Sequence, residues 1–129
     1  MPVKILLKGP DESPEVVKIE ISSEKNFFLL YEHTSDVFDY DQMREQQGLY
    51  PVFADYLTML IKLFNQAITN PSVFRCAIQL NIDYSASLFF NQVLPYKELK
   101  LLGCTFTRAS EERIHLHNKF KHKIATIRL

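Results

Sequence analysis

The spacing of apolar residues changes period twice along this chain, and these changes restrict the fold more than any other feature of the sequence. Before residue 34 and after residue 73, apolar and polar residues mostly alternate, which is typical of β-strands. Between them, apolar residues recur at every third or fourth position, as on one face of a helix. Two blocks of strands around a helix pair predict an α+β fold, a small antiparallel barrel or sandwich capped by the helices.

Six segments have the composition of strands. The clearest is residues 17–22, where aliphatic side chains alternate with lysine, glutamate and serine, so we expect a half-buried strand. Residues 3–7 also alternate, and residues 27–31 form a dense apolar run that predicts a more buried strand. The second block of strands is expected in residues 73–80, 84–90 and 99–106.

Two helices are predicted between these blocks. The first is acidic, has N-cap chemistry in Thr34-Ser35-Asp36, and extends to Gln47, where Gly48 supplies a stop. The second begins after Pro51 and ends near Asn70. It is strongly amphipathic, and we expect its apolar stripe to face the sheet. The stripe consists of Phe53, Leu57, Leu60, Ile61, Phe64 and Ile68.

A third helix is predicted from Ser110 to the last residue. Its apolar stripe has spacings of four, four and three and consists of Leu116, Phe120, Ile124 and Ile127. This stripe either docks on the rest of the domain or pairs with a second copy, because leaving it in water is unfavourable. We therefore divide the chain into a head domain, residues 1–108, and a C-terminal helix, residues 109–129, as the start of a coiled-coil stalk.

Composition argues against several classes of function. The chain has 15 basic and 15 acidic residues, a balance that does not favour nucleic acid as a partner. The histidines lack metal-site spacing, the three glycines form no phosphate loop, and Cys76 and Cys104 are expected to be buried free thiols. No apolar run is long enough for a signal peptide or a membrane span. We therefore expect no enzymatic activity, no metal or other cofactor, and no small-molecule substrate.

The charges are distributed unevenly despite their balance. Residues 11–55 contain eleven acids and three bases, whereas residues 56–129 contain four acids and ten bases. This asymmetry reflects either two unlike faces of one small domain or a molecule that can stack head to tail.

Several segments occur together in an order that resembles one family. Residues 27–31, the acidic helix, Gln46-Gln47-Gly48-Leu49, Val52-Phe53 and the helix containing Phe64 resemble the N-terminal head domain of spindle assembly abnormal protein 6, the centriolar cartwheel protein. The segment Leu94-Pro95-Tyr96-Lys97-Glu98-Leu99 is similar to the Asn-Pro-Phe-Lys tip hairpin of that family. The resemblance covers roughly residues 15–125.

The resemblance implies a barrel-like head capped by a helical pair, with a stalk that pairs two heads. An aromatic residue at the tip of one head inserts into the next head, and the heads close into a ring. By this resemblance, Pro95, Tyr96 and Lys97 form the tip of the head–head interface. It also implies weak self-association through heads, a coiled-coil dimer, and other cytoskeletal or microtubule-associated proteins as partners.

Two departures from the family pattern favour its shorter cartwheel-like paralogues in flagellated and apical-complex protists. The first strand starts almost at Met1, and Tyr96 stands where the family has phenylalanine. We expect a structural head domain in the cytoplasm and cytoskeleton, at a centriole or basal body, a flagellum or an apical complex. The alternative is a scaffold head domain of the related DNA-repair family that acts by protein–protein interaction, for which a tagged protein would localise to the nucleus.

Overall fold

The computed structural model describes residues 2–10, 12–22, 30–109, 121–122 and 127–128. The first strands are β1 (Pro2–Lys8), β2 (Val16–Ser22) and β3 (Leu30–Ser35). The helices are α1 (Val37–Gln47) and α2 (Tyr56–Thr69), and a 3₁₀ turn at Phe53–Asp55 leads into α2. The second block of strands is β4 (Phe74–Leu80), β5 (Ala86–Leu94) and β6 (Lys97–Arg108). Two short strands follow, β7 (Lys121–His122) and β8 (Ile127–Arg128).

The strands form one antiparallel sheet with the order β4-β5-β6-β3-β2-β1, and β7 and β8 pair with β1 at its edge. Helix α1 packs near β3, and α2 lies over β4. The predicted α+β class and order of elements are therefore confirmed. The barrel is not closed, because β4 and β1 stand at opposite ends of the sheet and do not pair within the described residues.

Local capping sets the bounds of α1 as predicted. The Asp36 carboxylate accepts a hydrogen bond from the backbone N–H of Asp39 at 2.8 Å, and the Asp39 carboxylate accepts one from the N–H of Asp36 at 3.2 Å. This reciprocal capping box satisfies donors that a helix N-terminus otherwise leaves unpaired. The helix ends at Gly48, whose φ of 63° suits glycine.

The core lies between α2 and the sheet. Leu60 and Phe64 are fully buried as predicted, and the Phe64 ring packs edge-on against Phe90 with centroids 4.9 Å apart. The prediction is wrong for Ile68, which is half exposed. Eight residues of helix rotate Ile68 by about 80° from Leu60, away from the buried face. Within the described residues, no helix is sufficiently long and apolar to cross a membrane.

Strand β2 is buried on both faces, so the prediction of a half-buried strand is wrong. Lys18 and Glu20 are 5% and 4% exposed, although they lie on the face opposite the apolar core. The Lys18 Nζ lies 3.3 Å from Glu20 Oε1 and 3.1 Å from Glu32 Oε2 on β3. A buried charge is tolerated only when it is paired, and these side chains supply each other's partners.

The prediction of a C-terminal helix is wrong for residues 121–122 and 127–128, which form the strands β7 and β8. The Cα partner of Leu6 is His122, and that of Val3 is Ile127, so Ile127 belongs to a strand. The outer edge of β1 offers unpaired backbone groups, and pairing with it overrides the helical periodicity at these positions. Leu116, Phe120 and Ile124 lie outside the described residues, as do residues 27–29 of the predicted third strand.

Two side chains bridge the gap between the halves of the sheet. Strands β3 and β6 pair only at Tyr31–Arg108 and Glu32–Thr107. Beyond that point, the His33 Nδ1–H donates to the Thr105 carbonyl at 2.9 Å. Further on, Gln47 at the end of α1 makes two hydrogen bonds with Gly103. Its Nε2 donates to the Gly103 carbonyl at 2.7 Å, and its Oε1 accepts from the Gly103 N–H at 2.9 Å. We call this pair of bonds the Gln47 clamp.

The burial of α2 makes Leu60→Ala a test of the fold. We expect this substitution to lower the free energy of unfolding by about 2–5 kcal/mol, because it leaves a cavity at a fully buried position. The control is Ile68→Ala on the same helix, where the half-exposed side chain predicts a much smaller loss. Chemical denaturation measures both, and equal losses would contradict the placement of α2.

The Gln47 clamp predicts a cost for Gln47→Ala. That variant leaves the half-buried N–H and C=O of Gly103 without partners, and we expect a loss of about 1–3 kcal/mol in the free energy of unfolding. Gln46→Ala is the matched control, because Gln46 is the neighbouring glutamine of α1 and is exposed. A loss at Gln46 as large as that at Gln47 would show that the clamp does not stabilise the fold.

The half-buried imidazole of His33 predicts a pH dependence of stability. Burial lowers the pKa of His33 below its ordinary value of 6.5, against the raising effects of the Thr105 carbonyl and Asp39. The unfolded chain therefore takes up the proton at a higher pH than the native one. The contribution of His33 to the free energy of unfolding is fully present above pH 6.5 and decreases as the pH falls from 6.5 towards the lower native pKa. Denaturation series of wild type and His33→Gln between pH 7.5 and 5 should show a steeper decrease for wild type; parallel curves would contradict this.

Candidate functional site

Tyr96 stands at the apex of the β5–β6 hairpin and is fully exposed. The last paired residues are Leu94 and Lys97, so Pro95 and Tyr96 alone form the turn. The ring of Pro95 fixes its backbone φ near −65°, and Tyr84 is the one non-glycine residue with positive φ among the described residues. The predicted turn is confirmed, and the aromatic ring points into solvent instead of folding back over its own hairpin.

Polar contacts brace the hairpin below the tip. Glu98 on β6 accepts a hydrogen bond from Asn91 of β5 at 3.1 Å and lies 2.9 Å from the Arg75 guanidinium of β4. An exposed ion pair contributes little to stability, but this one connects all three strands of the half-sheet. The direction in which the tip projects is therefore fixed by β4 as well as by β5.

A β-bulge changes the direction of side chains along the hairpin. The partner of Phe90 is Leu102 and that of Asn91 is Lys100, so Leu101 is an extra residue in β6. A bulge re-aims the side chains that follow it. As a result, Leu101 lines a groove next to the core instead of facing solvent. The sequence indicates this bulge. Apolar residues alternate at Leu99 and Leu101, and the alternation then restarts one residue later at Leu102.

This groove has a volume of about 480 Å³ and lies between the α1–α2 connection, α2 and the sheet. We call it the helix groove. Its apolar walls are Leu49, Met59, Leu63, Phe74 and Leu101. Its polar lining includes Gln47, Gln66, Gln92, Lys62 and Lys100. An apolar cleft with a few polar groups suits a side chain that is mostly apolar and has one hydrogen-bonding atom.

The helix groove borders an acidic surface of α1. Leu49 also lines a second depression, whose other lining residues include Asp41 and Glu45. The tip hairpin carries the exposed lysines Lys97 and Lys100. Asp41 and Glu45 thus form an acidic rim on α1 beside Arg44, whereas the groove itself contains Lys62 and Lys100, and the tip contains basic residues.

The Gln47 clamp connects the helix groove to the hairpin. Gln47 lines the groove while its amide binds Gly103, two residues from Leu101 in the opposite wall. The sequence does not predict the groove, since its residues come from six separate elements and connections. In the sequence analysis, Gln47 is singled out only because the segment Gln46–Leu49 resembles a known family. That resemblance assigns no role to the Gln47 side chain.

The two cysteines are unsuited to nucleophilic chemistry. Cys104 is buried, Cys76 is half-buried, and both are free thiols as predicted. Burial raises the pKa of each thiol to about 12, so both stay protonated at neutral pH. Among the residues that the structure describes, no cluster of histidine, cysteine and acidic side chains could hold a metal ion.

The fold is similar to several solved structures. An N-terminal fragment of a Leishmania SAS-6 mutant, containing parts of its coiled-coil domain, has a TM-score of 0.75 at 15% identity and covers 90% of this chain and 66% of that one. The N-terminal domain of C. elegans SAS-6 has a TM-score of 0.68 at 18% identity, covering 83% and 77%. A Drosophila melanogaster Sas-6 N-terminal fragment, dimerised via the coiled-coil domain, has a TM-score of 0.66 at 12% identity, covering 92% and 68%.

Identities this low show a shared fold, and the sequence itself shows the family. No curated protein matches the chain. The family described as centriolar protein SAS N-terminal domain matches residues 1–106, which include both helices, strands β1 to β5 and β6 as far as Phe106. The chain therefore belongs to the family of SAS-6 N-terminal domains, as the resemblance of its sequence implied.

Proposed function

We propose that this chain is a structural, self-assembling head domain in which Tyr96 of one copy inserts into the helix groove of the next. The observation that carries the proposal is the presence, on one domain, of a rigid exposed aromatic tip and an open apolar groove. This function requires no catalytic residue and no cofactor.

The tip and the groove of one copy are too far apart to meet. Gln92 and Lys100, which line the groove, are each four residues from Tyr96 along extended strands. Four residues of strand span about 13 Å. The contact is therefore between copies, and it joins two unlike surfaces. Such a heterologous contact propagates from one copy to the next and produces a ring or a filament.

The chemistry of the two surfaces is complementary. The tyrosine ring would pack against Leu49, Met59 and Leu63, and its hydroxyl would bond the side-chain amide of Gln66 or Gln92. Lys97 would approach the acidic rim of α1 in the same pose. A phenylalanine needs no polar partner in such a groove, so the amides are the feature that suits a tyrosine tip.

A single aromatic anchor supports only weak association. We expect a dissociation constant in the roughly micromolar-to-millimolar range. A second link between copies raises the effective concentration of heads. Two of the similar solved structures are a stabilised dimer of C. elegans SAS-6 and the coiled-coil dimer from Drosophila. We propose that the head, residues 1–108, is linked in pairs through the C-terminal segment, residues 109–129.

The family supports a location of this assembly at microtubule-based organelles. Its members are centriolar, which supports a location in the cytoskeleton at a centriole or basal body. We propose that this chain acts there or, as a short paralogue, at a flagellum or apical complex. Its partners would then be further copies of itself and other cytoskeletal or microtubule-associated proteins.

Tyr96→Glu tests the proposed contact. The carboxylate would lose its hydration in the apolar groove, so we expect association through the tip to disappear while the fold persists. Sedimentation velocity over a concentration series up to the millimolar range measures association, and circular dichroism measures the fold. The matched control is Tyr84→Glu, which alters an exposed tyrosine in the β4–β5 turn and should leave association unchanged. If Tyr96→Glu associates as well as wild type, the tip is not the interface.

A further inference from the structure

We propose that β4 is a second self-association surface and that it pairs antiparallel with β4 of another copy. This contact differs from the tip contact, because it joins two identical surfaces, does not involve Tyr96, and shares only Phe74 with the helix groove. Within the described residues, strand β4 forms one end of the sheet and pairs on one side only, with β5.

The backbone groups at the open edge follow from the register with β5. Val93 donates its N–H to the Val73 carbonyl, and the same register continues from Phe74–Gln92 to Leu80–Ala86. Because the direction of backbone hydrogen bonds alternates along an antiparallel strand, residues 75, 77 and 79 bond β5, and residues 74, 76, 78 and 80 face the open edge. Of these four, the N–H of Phe74 donates to the Asn70 carbonyl. The remaining groups have no backbone partner among the described residues and are available to a further strand.

This edge lacks the usual protection against pairing. Exposed edge strands are commonly blocked by proline, by lysine or by a bulge. Strand β4 contains no proline and no lysine, and its register with β5 is regular throughout. Its one charged side chain, Arg75, is engaged with Glu98 of β6 across the sheet.

The sequence of β4 is complementary to itself in one antiparallel register. With Ala77 facing Ala77 of the second copy, Cys76 faces Ile78 and Phe74 faces Leu80. Arg75 then faces Gln79, so no like charges meet. The open-edge residues bond one another in this register, and the two Ala77 residues form the close, non-hydrogen-bonded pair at the two-fold axis, where a small side chain fits.

The pairing would cover apolar surface that the single domain leaves in water. Leu80 is 58% exposed, and Phe74 of the second copy would lie against it. One seven-residue strand pair buries far less than the roughly 1,200–2,000 Å² of a stable complex. The contact is therefore weak by itself and becomes effective between heads that another link already holds close together.

Site-specific cross-linking tests the register. In a Tyr96→Glu background, which removes the tip contact, Ala77→Cys should form a covalent dimer in oxidised glutathione. Its Cα atoms would lie about 4.5 Å apart, within the range that a disulfide spans. The matched control is Gln79→Cys, an exposed position on the same face of β4. In this register the two Gln79 residues lie about 13 Å apart, so this variant should form no disulfide-linked dimer. The native thiols, with pKa values near 12, should not react.

Non-reducing electrophoresis of the full chain reads out the result. A dimer yield at least ten times higher for Ala77→Cys than for Gln79→Cys supports the proposal, whereas equal yields or no dimer in either variant overturn it. Charge reversal gives an independent readout: Ala77→Lys and Ala77→Glu should each associate less strongly alone than when the two variants are mixed. Failure of the mixture to associate at millimolar concentration would also overturn the proposal. Neither result depends on the tip contact, because Tyr96→Glu is present throughout.

Discussion

The fold depends on the way in which the two halves of its sheet are joined. Strands β3 and β6 share only two paired positions, and beyond them the edge of β6 would be left without partners. An imidazole and then a carboxamide occupy that edge, at Thr105 and Gly103. The side chains of His33 and Gln47 thus make hydrogen bonds to β6 where β3 no longer pairs with it. Because Gln47 is also the last residue of α1, the same two bonds fix the helix pair relative to the sheet.

The two surfaces of the proposed tip contact are arranged around this junction. The β5–β6 hairpin extends away from it, and the helix groove lies beside it, between the helices and Leu101. A shift of α1 would change the shape of the groove and the position of Gly103 together. In the proposed tip contact, recognition of a second copy depends on how α1 packs against β6. The residues that contact the partner form only the surface of the groove.

Elements whose stability is local were predictable from the sequence. The capping box at Asp36, the stop at Gly48 and the alternation along β4 to β6 each act within a few residues. Three features were not predictable because distant residues create them. Lys18 is buried by partners on its own strand and on the next one, and the strands at 121–122 and 127–128 form because β1 has a free edge. The helix groove exists only after six segments have come together. Tyr96 was found because turn chemistry is local, whereas its proposed receptor is not.

The bulge at Leu101 has a consequence for how this hairpin can change in evolution. Side chains alternate between the two faces of a strand, so one residue gained or lost between the bulge and the tip would turn every later side chain of that strand to the opposite face. Leu101 would then leave the groove wall, and Glu98 would leave Asn91 and Arg75. Viable descendants should therefore lengthen or shorten each arm of the hairpin by two residues at a time. The distance by which the tip projects from the sheet would then change in steps of about 7 Å, the length of two strand residues.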